Sequence, residues 1–192
     1  YSYQVSIFPR NIVCGTSIIS DGNMSFRFGE ELSVVENRRT FLQSRGIQFE
    51  DHIYMRCDNG EIITAINRSN YCGVRTQDTM ILSEVLATKE KGLALMLLTA
   101  DCIPASFYDP VQKVIALAHL NRKTAGHDLA QKTVSFLCEQ HGSNPKDILV
   151  NFGPHIKKES YSFPLPFTEE TPTQLTNFIE QKDAIAHVDI TA

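Results

Sequence analysis

The chain has 192 residues, 42% of them hydrophobic and 21% charged, with a formal net charge of −4. A single domain of this length buries roughly 70% of the surface that its unfolded chain exposes. There is no basic block with interleaved aromatic residues, which argues against nucleic acid as the main partner. No apolar run approaches the roughly 18 residues a membrane-spanning helix needs.

Gln4–Val13 carries Val5, Ile7, Ile12 and Val13 broken by Pro9, and reads as strand material. Cys14–Asn23 reads as a strand end running into a turn. Ser33 with Glu36 matches a capping box, and Gly46 stands where a helix-ending glycine belongs. A helix is therefore expected over Val34–Arg45, with Val34, Phe41 and Leu42 turned inward. Ile53-Tyr54-Met55 and Ile62–Ile66 read as strands on either side of a turn at Asn59-Gly60. Thr79–Leu82 is a further short apolar segment, and Ser83–Lys91 reads as a helical turn or loop.

Leu93–Leu98 is the longest apolar run without a charge, and it leads into Thr99-Ala100-Asp101-Cys102-Ile103-Pro104. A second apolar run, Val114–Ala118, ends on His119. Asp109-Pro110 lies between the two and suits the first positions of a type I turn. Folding back about Asp109–Gln112 makes a hairpin in which Phe107 faces Val114 and Cys102 faces His119. Opposed residues of such a pair have Cβ atoms roughly 5 Å apart. The spacing thus brings a thiol and an imidazole together.

Asn121–Asp128 is polar. Asp128, with Gln131 after it, opens a helix running to Gln140, and Leu129, Ala130, Thr133, Val134, Leu137 and Cys138 recur at helical spacing until Gly142. Asn144-Pro145 turns into a strand at Ile148–Phe152. Thr171-Pro172 with Gln174 opens a last helix, expected to reach Gln181. Strands alternating with helices around one antiparallel hairpin fit a mixed α/β sandwich, not a purely parallel sheet.

The five cysteines, Cys14, Cys57, Cys72, Cys102 and Cys138, are odd in number, irregularly spaced and without a CxxC pair. They point to reduced thiols and a cytoplasmic setting.

Thr99-Ala100-Asp101-Cys102-Ile103-Pro104, then Phe107-Tyr108-Asp109-Pro110, then Ile115–His119 resembles the laccase-domain (YfiH-like) family. Glu36-Asn37-Arg38, Gln77-Asp78, Ala130–Val134, Gly153-Pro154-His155-Ile156 and Ser160–Phe163 add to the resemblance, which runs from about Val13 to Phe163. It implies a single YfiH-like domain over residues 1–192, cut short at its C-terminal end relative to the family. It also implies a zinc site made by two histidines and one cysteine, in a pocket for a purine nucleoside, with phosphorolysis or deamination as the chemistry. Carried over, Cys102 and His119 are two of the three ligands. The family's first ligand is a histidine; aligned on Ile62, that place falls on Asp58, whose carboxylate zinc accepts at about 2.0–2.2 Å. Cys57, beside it, is a softer donor, but strand alternation points it the other way.

The chain also departs from the pattern. His119 is followed by Leu120-Asn121-Arg122 where the family has a glycine and a tryptophan, and Ile18 stands in place of an arginine. Arg122 and Lys123 are candidate phosphate contacts, His127 and His155 candidate substitutes for a lost ligand, and Asp101 a candidate orienting residue. Two other readings remain open: a metal-free hydrolase or deamidase using Cys102 as nucleophile and His119 as base, and a non-catalytic binding module.

Overall fold

The computed structural model describes residues 7–69, 80–165, 179–182 and 184–190. Among the described residues, eleven strands form three sheets, accompanied by three α-helices. The long apolar stretches form the largest sheet, whose order is β2-β4-β7-β6-β8. Its members are β2 (Ile63–Ala65), β4 (Val85–Thr88), β6 (Ile103–Asp109), β7 (Val114–Leu120) and β8 (Leu149–Phe152). β2 and β4 run parallel, and every other neighbouring pair is antiparallel. β1 (His52–Arg56) runs parallel to both β3 (Ile81–Leu82) and β5 (Ala94–Met96) in a second sheet. The third holds β9 (Ser162–Pro164), β10 (Ile179–Lys182) and β11 (Ile185–Val188), paired antiparallel. The mixed α/β architecture expected from the sequence is present.

One face of the large sheet is covered by α3 (Leu129–His141). Leu129 and Leu137 meet Val85, Ala105, Phe107, Ala116 and Ala118 in one core cluster. The expected helical spacing is the cause, and Gly142 ends the helix with φ of 72°. Around β1, Ile53, Met55, Leu86 and Leu93 form a second cluster. α1 (Glu31–Gln43) begins ahead of the expected capping box, with Glu30 as its N-cap. It is anchored by Arg38, which is buried, donates twice to the Met24 carbonyl and stacks between the rings of Phe26 and Tyr54.

Several local expectations are corrected. The described part of Gln4–Val13 is a turn held by Ile12 N–H donating to the Pro9 carbonyl, not a strand. Ser83–Lys91 is not a helical turn: it contains β4, an interior strand buried along its whole length. A strand covered on both faces lacks the alternation that marks half-buried strands. Asn121–Asp128 contains the short helix α2 (Arg122–Ala125). The helix expected from Thr171 falls outside the described residues over 171–178, as do Cys72, Gln77 and Asp78. Its expected end at Ile179–Gln181 is strand β10. No described helix is long and apolar enough to cross a membrane.

The hairpin forms with a longer connection than the turn arithmetic gives. Asp109 pairs with Val114, Phe107 with Ala116 and Pro104 with His119. The loop Pro110–Lys113 is closed by Lys113 in the left-handed region, φ 55°. Cys102 therefore lies just ahead of β6, diagonal to His119. The offset is even in residues, so Cys102 and His119 keep the same side of the sheet.

Candidate metal centre

The centre forms where the large sheet meets the end of β1. β7 ends beside β4, and the His119 amide donates to the Glu84 carbonyl at 2.9 Å. The same two residues meet again through their side chains. Nδ1 of His119 lies 2.8 Å from Oε2 of Glu84, whose side chain is wholly buried. A carboxylate accepts, so Nδ1 carries a proton, and Nε2 is the ring nitrogen turned away from Glu84.

Glu84 reaches in a second direction. Its Oε1 accepts from the backbone amides of Asp58 and Asn59, each at 2.7 Å. One buried carboxylate thus ties the loop after β1 to the end of β7. Asn121 adds a further tie, donating from Nδ2 to Asn59 Oδ1 at 2.7 Å while its Oδ1 caps α2. Asn59 adopts φ of 66°, a conformation asparagine tolerates better than most residues.

Of the three expected ligands, Cys102 and His119 come together, although Cys102 lies outside the group of donor atoms closest to one another, and Asp58 does not join them. The thiol of Cys102 hydrogen-bonds to His119, and so does the thiol of Cys57. Burial alone would lower the pKa of His119, but the bonds to Cys102, Cys57 and Glu84 outweigh it and push it up to about 12. Burial pushes the Cys57 thiol up. Donor atoms of Cys57, Glu84 and His119 all lie within 4.8 Å of one another, a group that could hold a metal ion. Sulfur, nitrogen and carboxylate oxygen in one half-buried cluster suit a borderline-soft cation.

Asp58 is exposed, and its Oδ1 accepts from the Gly60 amide at 3.0 Å, closing the turn. Asp101 has φ of 74° at the turn that presents Cys102. That turn is braced by the Gly153–Ile156 segment, where the Gly153 amide donates to the Pro104 carbonyl and the Ile156 amide to the Asp101 carbonyl, both at 2.9 Å. Gly153 packs so closely that a Cβ there would stand 2.6 Å from Pro104 Cγ. His127 pairs with Glu61 at the surface, at 3.3 Å. His155 Nδ1 meets the Gly153 carbonyl at 2.7 Å, and Lys157 Nζ lies 3.0 Å from its Nε2. Arg122 is buried, stacks over Phe163 and hydrogen-bonds to Tyr161, while Lys123 is exposed.

Cys57 and Glu84 are the two members that sequence reasoning left out. β1 ends at Arg56, so strand alternation no longer governs Cys57. For Glu84 a signal existed: a lone carboxylate heads the uncharged run Val85–Thr88.

A mixed sandwich with this thiol–imidazole centre defines a class. The chain belongs to the family described as multi-copper polyphenol oxidoreductase laccase, which it matches over residues 5–192. It is 27% identical over 135 residues to purine nucleoside phosphorylase YlmD of Bacillus subtilis, covering 69% of this chain and 49% of that protein. It is 26% identical over 160 residues to purine nucleoside phosphorylase Cgl2154/cg2365 of Corynebacterium glutamicum, covering 81% and 63%. The chain therefore spans between half and two thirds of the length of these relatives. The crystal structure of YlmD from Geobacillus stearothermophilus shares the fold, with a TM-score of 0.75 at 23% identity over 88% of this chain and 65% of that one. The YfiH protein of Bacillus licheniformis does so with a TM-score of 0.73 at 24% identity over 84% and 63%.

Proposed function

We propose that the protein is a zinc-assisted enzyme that cleaves or deaminates purine nucleosides, with phosphorolysis as the leading reaction. The observation that carries this reading is the Glu84–His119 pair with two thiols on the same imidazole. It is the arrangement in which a carboxylate fixes a ligand histidine's tautomer and leaves its other nitrogen for a cation. The names of the curated relatives supply the substrate class.

Cys102 and His119 hold the cation together with a third donor from the loop after β1. Zinc bound there supplies positive charge that polarises or neutralises an attacking phosphate or water oxygen. Glu84 keeps the imidazole from rotating, and the Gly153–Ile156 segment keeps the Cys102 turn in place. Arg122 and Lys123 open α2 directly after the centre, and exposed Lys123 is the candidate cation for a phosphate, since Arg122 is buried against Phe163 and Tyr161. In phosphorolysis the bond from C1′ to the base nitrogen breaks, a phosphate oxygen bonds C1′, and the base leaves with a proton. The reduced thiols this site requires suit a reducing compartment such as the cytoplasm.

The test is release of hypoxanthine from inosine, or adenine from adenosine, by zinc-loaded protein with and without phosphate. Phosphate-dependent release that disappears in His119→Ala is the expected result. Conversion of adenosine to inosine without phosphate would move the reading to deamination. The Cys102–His119 hydrogen bond also favours a second reading, a metal-free cysteine hydrolase or deamidase. Loss of activity on alkylation of Cys102, with chelators without effect, would select that one. A protein with no turnover and no thiol reactivity would be a binding module.

A further inference from the structure

We infer that the centre binds its metal through two sulfurs and one nitrogen, from Cys57, Cys102 and His119, with Glu84 outside the coordination sphere as a positioning residue. The inference rests on the metal reading above and deepens it, because it decides between the three side chains that could complete the set.

Glu84 is the nearest alternative, since its carboxylate lies in the cluster. Its oxygens are already committed. Oε1 accepts from two amides at 2.7 Å, which occupies both of its lone pairs, and Oε2 accepts from Nδ1 of His119. A metal on His119 binds the opposite nitrogen. An oxygen bonded on the Nδ1 side of the ring cannot also stand about 2.0–2.2 Å from a cation on the Nε2 side. Glu84 could ligate only by releasing the imidazole it orients, and with it the loop after β1.

Asp58 is a weaker alternative. It is exposed, with its carboxylate accepting from Gly60. Cys57 is different, because its thiol hydrogen-bonds to the same imidazole as that of Cys102. Two thiols that meet one imidazole mark the place that a single cation takes when both sulfurs ionise and the ring gives up its second proton. Two backbone outliers flank the pair: Asn59 stands after Cys57 and Asp101 before Cys102, with φ of 66° and 74°. Local strain of this kind persists where surrounding contacts hold it, here the Asn121 bond to Asn59 and the Ile156 bond to the Asp101 carbonyl. Both thiols are thus presented by turns braced from outside. Two thiolates and a neutral imidazole balance the charge of a divalent cation. A fourth position stays open for an oxygen of substrate or water.

The experiment is X-ray absorption on the zinc-loaded wild-type protein, which needs no variant to fold. The expected shell is two sulfurs at about 2.3 Å with one nitrogen at about 2.0–2.1 Å. A shell with one sulfur, or no zinc uptake at all, overturns the inference. Cobalt loading gives the assignment by residue: the thiolate-to-metal absorption should fall to about half in Cys57→Ser and in Cys102→Ser and vanish in the double variant, since each soft thiolate contributes its own band. An unchanged band in Cys57→Ser overturns it. Alkylation of the wild type gives the same answer without substitution, with exposed Cys14 as the reactive control. Zinc should protect both Cys57 and Cys102; protection of Cys102 alone overturns the assignment. Glu84→Gln should keep both sulfurs and lose affinity by about 10–100-fold, the usual effect of removing an outer partner. Loss of a coordinated oxygen in that variant would place Glu84 on the metal and overturn its assigned role. Two sulfurs without phosphate-dependent nucleoside cleavage would sink the proposed function and leave this site standing. Cleavage by a one-sulfur site would do the reverse.

Discussion

The β6–β7 hairpin has two ends, and each buries an acidic side chain for a different purpose. At the tip, Asp109 is buried and its Oδ1 accepts from the Val111 and Gln112 amides at 2.7 and 3.0 Å. Those two partners are local backbone, and the Ser143 hydroxyl is a third, so the carboxylate closes the turn and ties it to the segment after α3. At the open end, Glu84 accepts from two amides of a distant loop and from the ring of His119. Its partners come from two separate parts of the chain, the loop after β1 and the end of β7. The same functional group therefore closes a loop at one end and assembles a set of donor atoms at the other. What distinguishes a site from a structural carboxylate here is that one of its partners is an imidazole able to bind a cation, not its burial.

Removing the two carboxylates should separate these roles. Glu84→Ala strips a buried partner from His119 and two amides at once, and should destabilise the protein by about 3–5 kcal/mol. Urea unfolding checks the size, and metal titration should show the centre lost with it. Asp109→Ala loses the bonds from Ser143 and from two amides and leaves those amides seeking water, which should cost about 1–3 kcal/mol. Metal binding should be untouched. A centre that fails in Asp109→Ala would mean that the hairpin ends are coupled and that the contrast is false.

Asp109 also gives the tip an acid signature. Burial alone would raise its pKa, but hydrogen bonds from the Ser143 hydroxyl and from the Gln112 and Val111 amides outweigh it and hold it below the ordinary 3.8. The unfolded chain then takes up this proton first as pH falls. The stabilisation is complete above pH 3.8 and is lost as pH drops through the lower folded value. Asp109→Asn should flatten that part of the stability profile, measured by thermal unfolding across the acid range.

Asn121→Ala comes next in size. It removes the cap of α2 and the bond to Asn59, and should cost about 1 kcal/mol. The variant should also loosen the loop that carries Cys57, which metal affinity would register before stability does.

The sequence exposed the hairpin because Asp109-Pro110 carries its own turn chemistry, and it exposed Cys102 and His119 because they terminate apolar runs. Its register was less legible: Lys113 takes a left-handed conformation that nothing in its side chain announces. The even offset preserved which face each residue occupies, so the pair survived the error. Glu84 left a signal at the head of an uncharged run, but its role was not legible. Nothing near it in sequence explains a buried carboxylate, since its partners are Asp58, Asn59 and His119. β4 hid too, because full burial removes the polar half of the alternating pattern. Cys57 was set aside by a strand rule that applies only as far as Arg56, where β1 ends.

The smallest expected effect is the sharpest discriminator. Asp58 and Cys57 are neighbours, so a shift of one residue in the alignment decides which of them is the third ligand. In the structure Asp58 contributes its amide to Glu84 and its carboxylate to Gly60, while its side chain is exposed. Asp58→Ala keeps the amide and removes one exposed turn bond, so stability should change by within about 0.5 kcal/mol. Zinc stoichiometry and affinity should match the wild type when measured by equilibrium dialysis. A tenfold loss of affinity with unchanged stability would instead put the carboxylate on the metal. That outcome would require the turn at Gly60 to open on loading, and it would return the third ligand to the position that alignment on Ile62 selects.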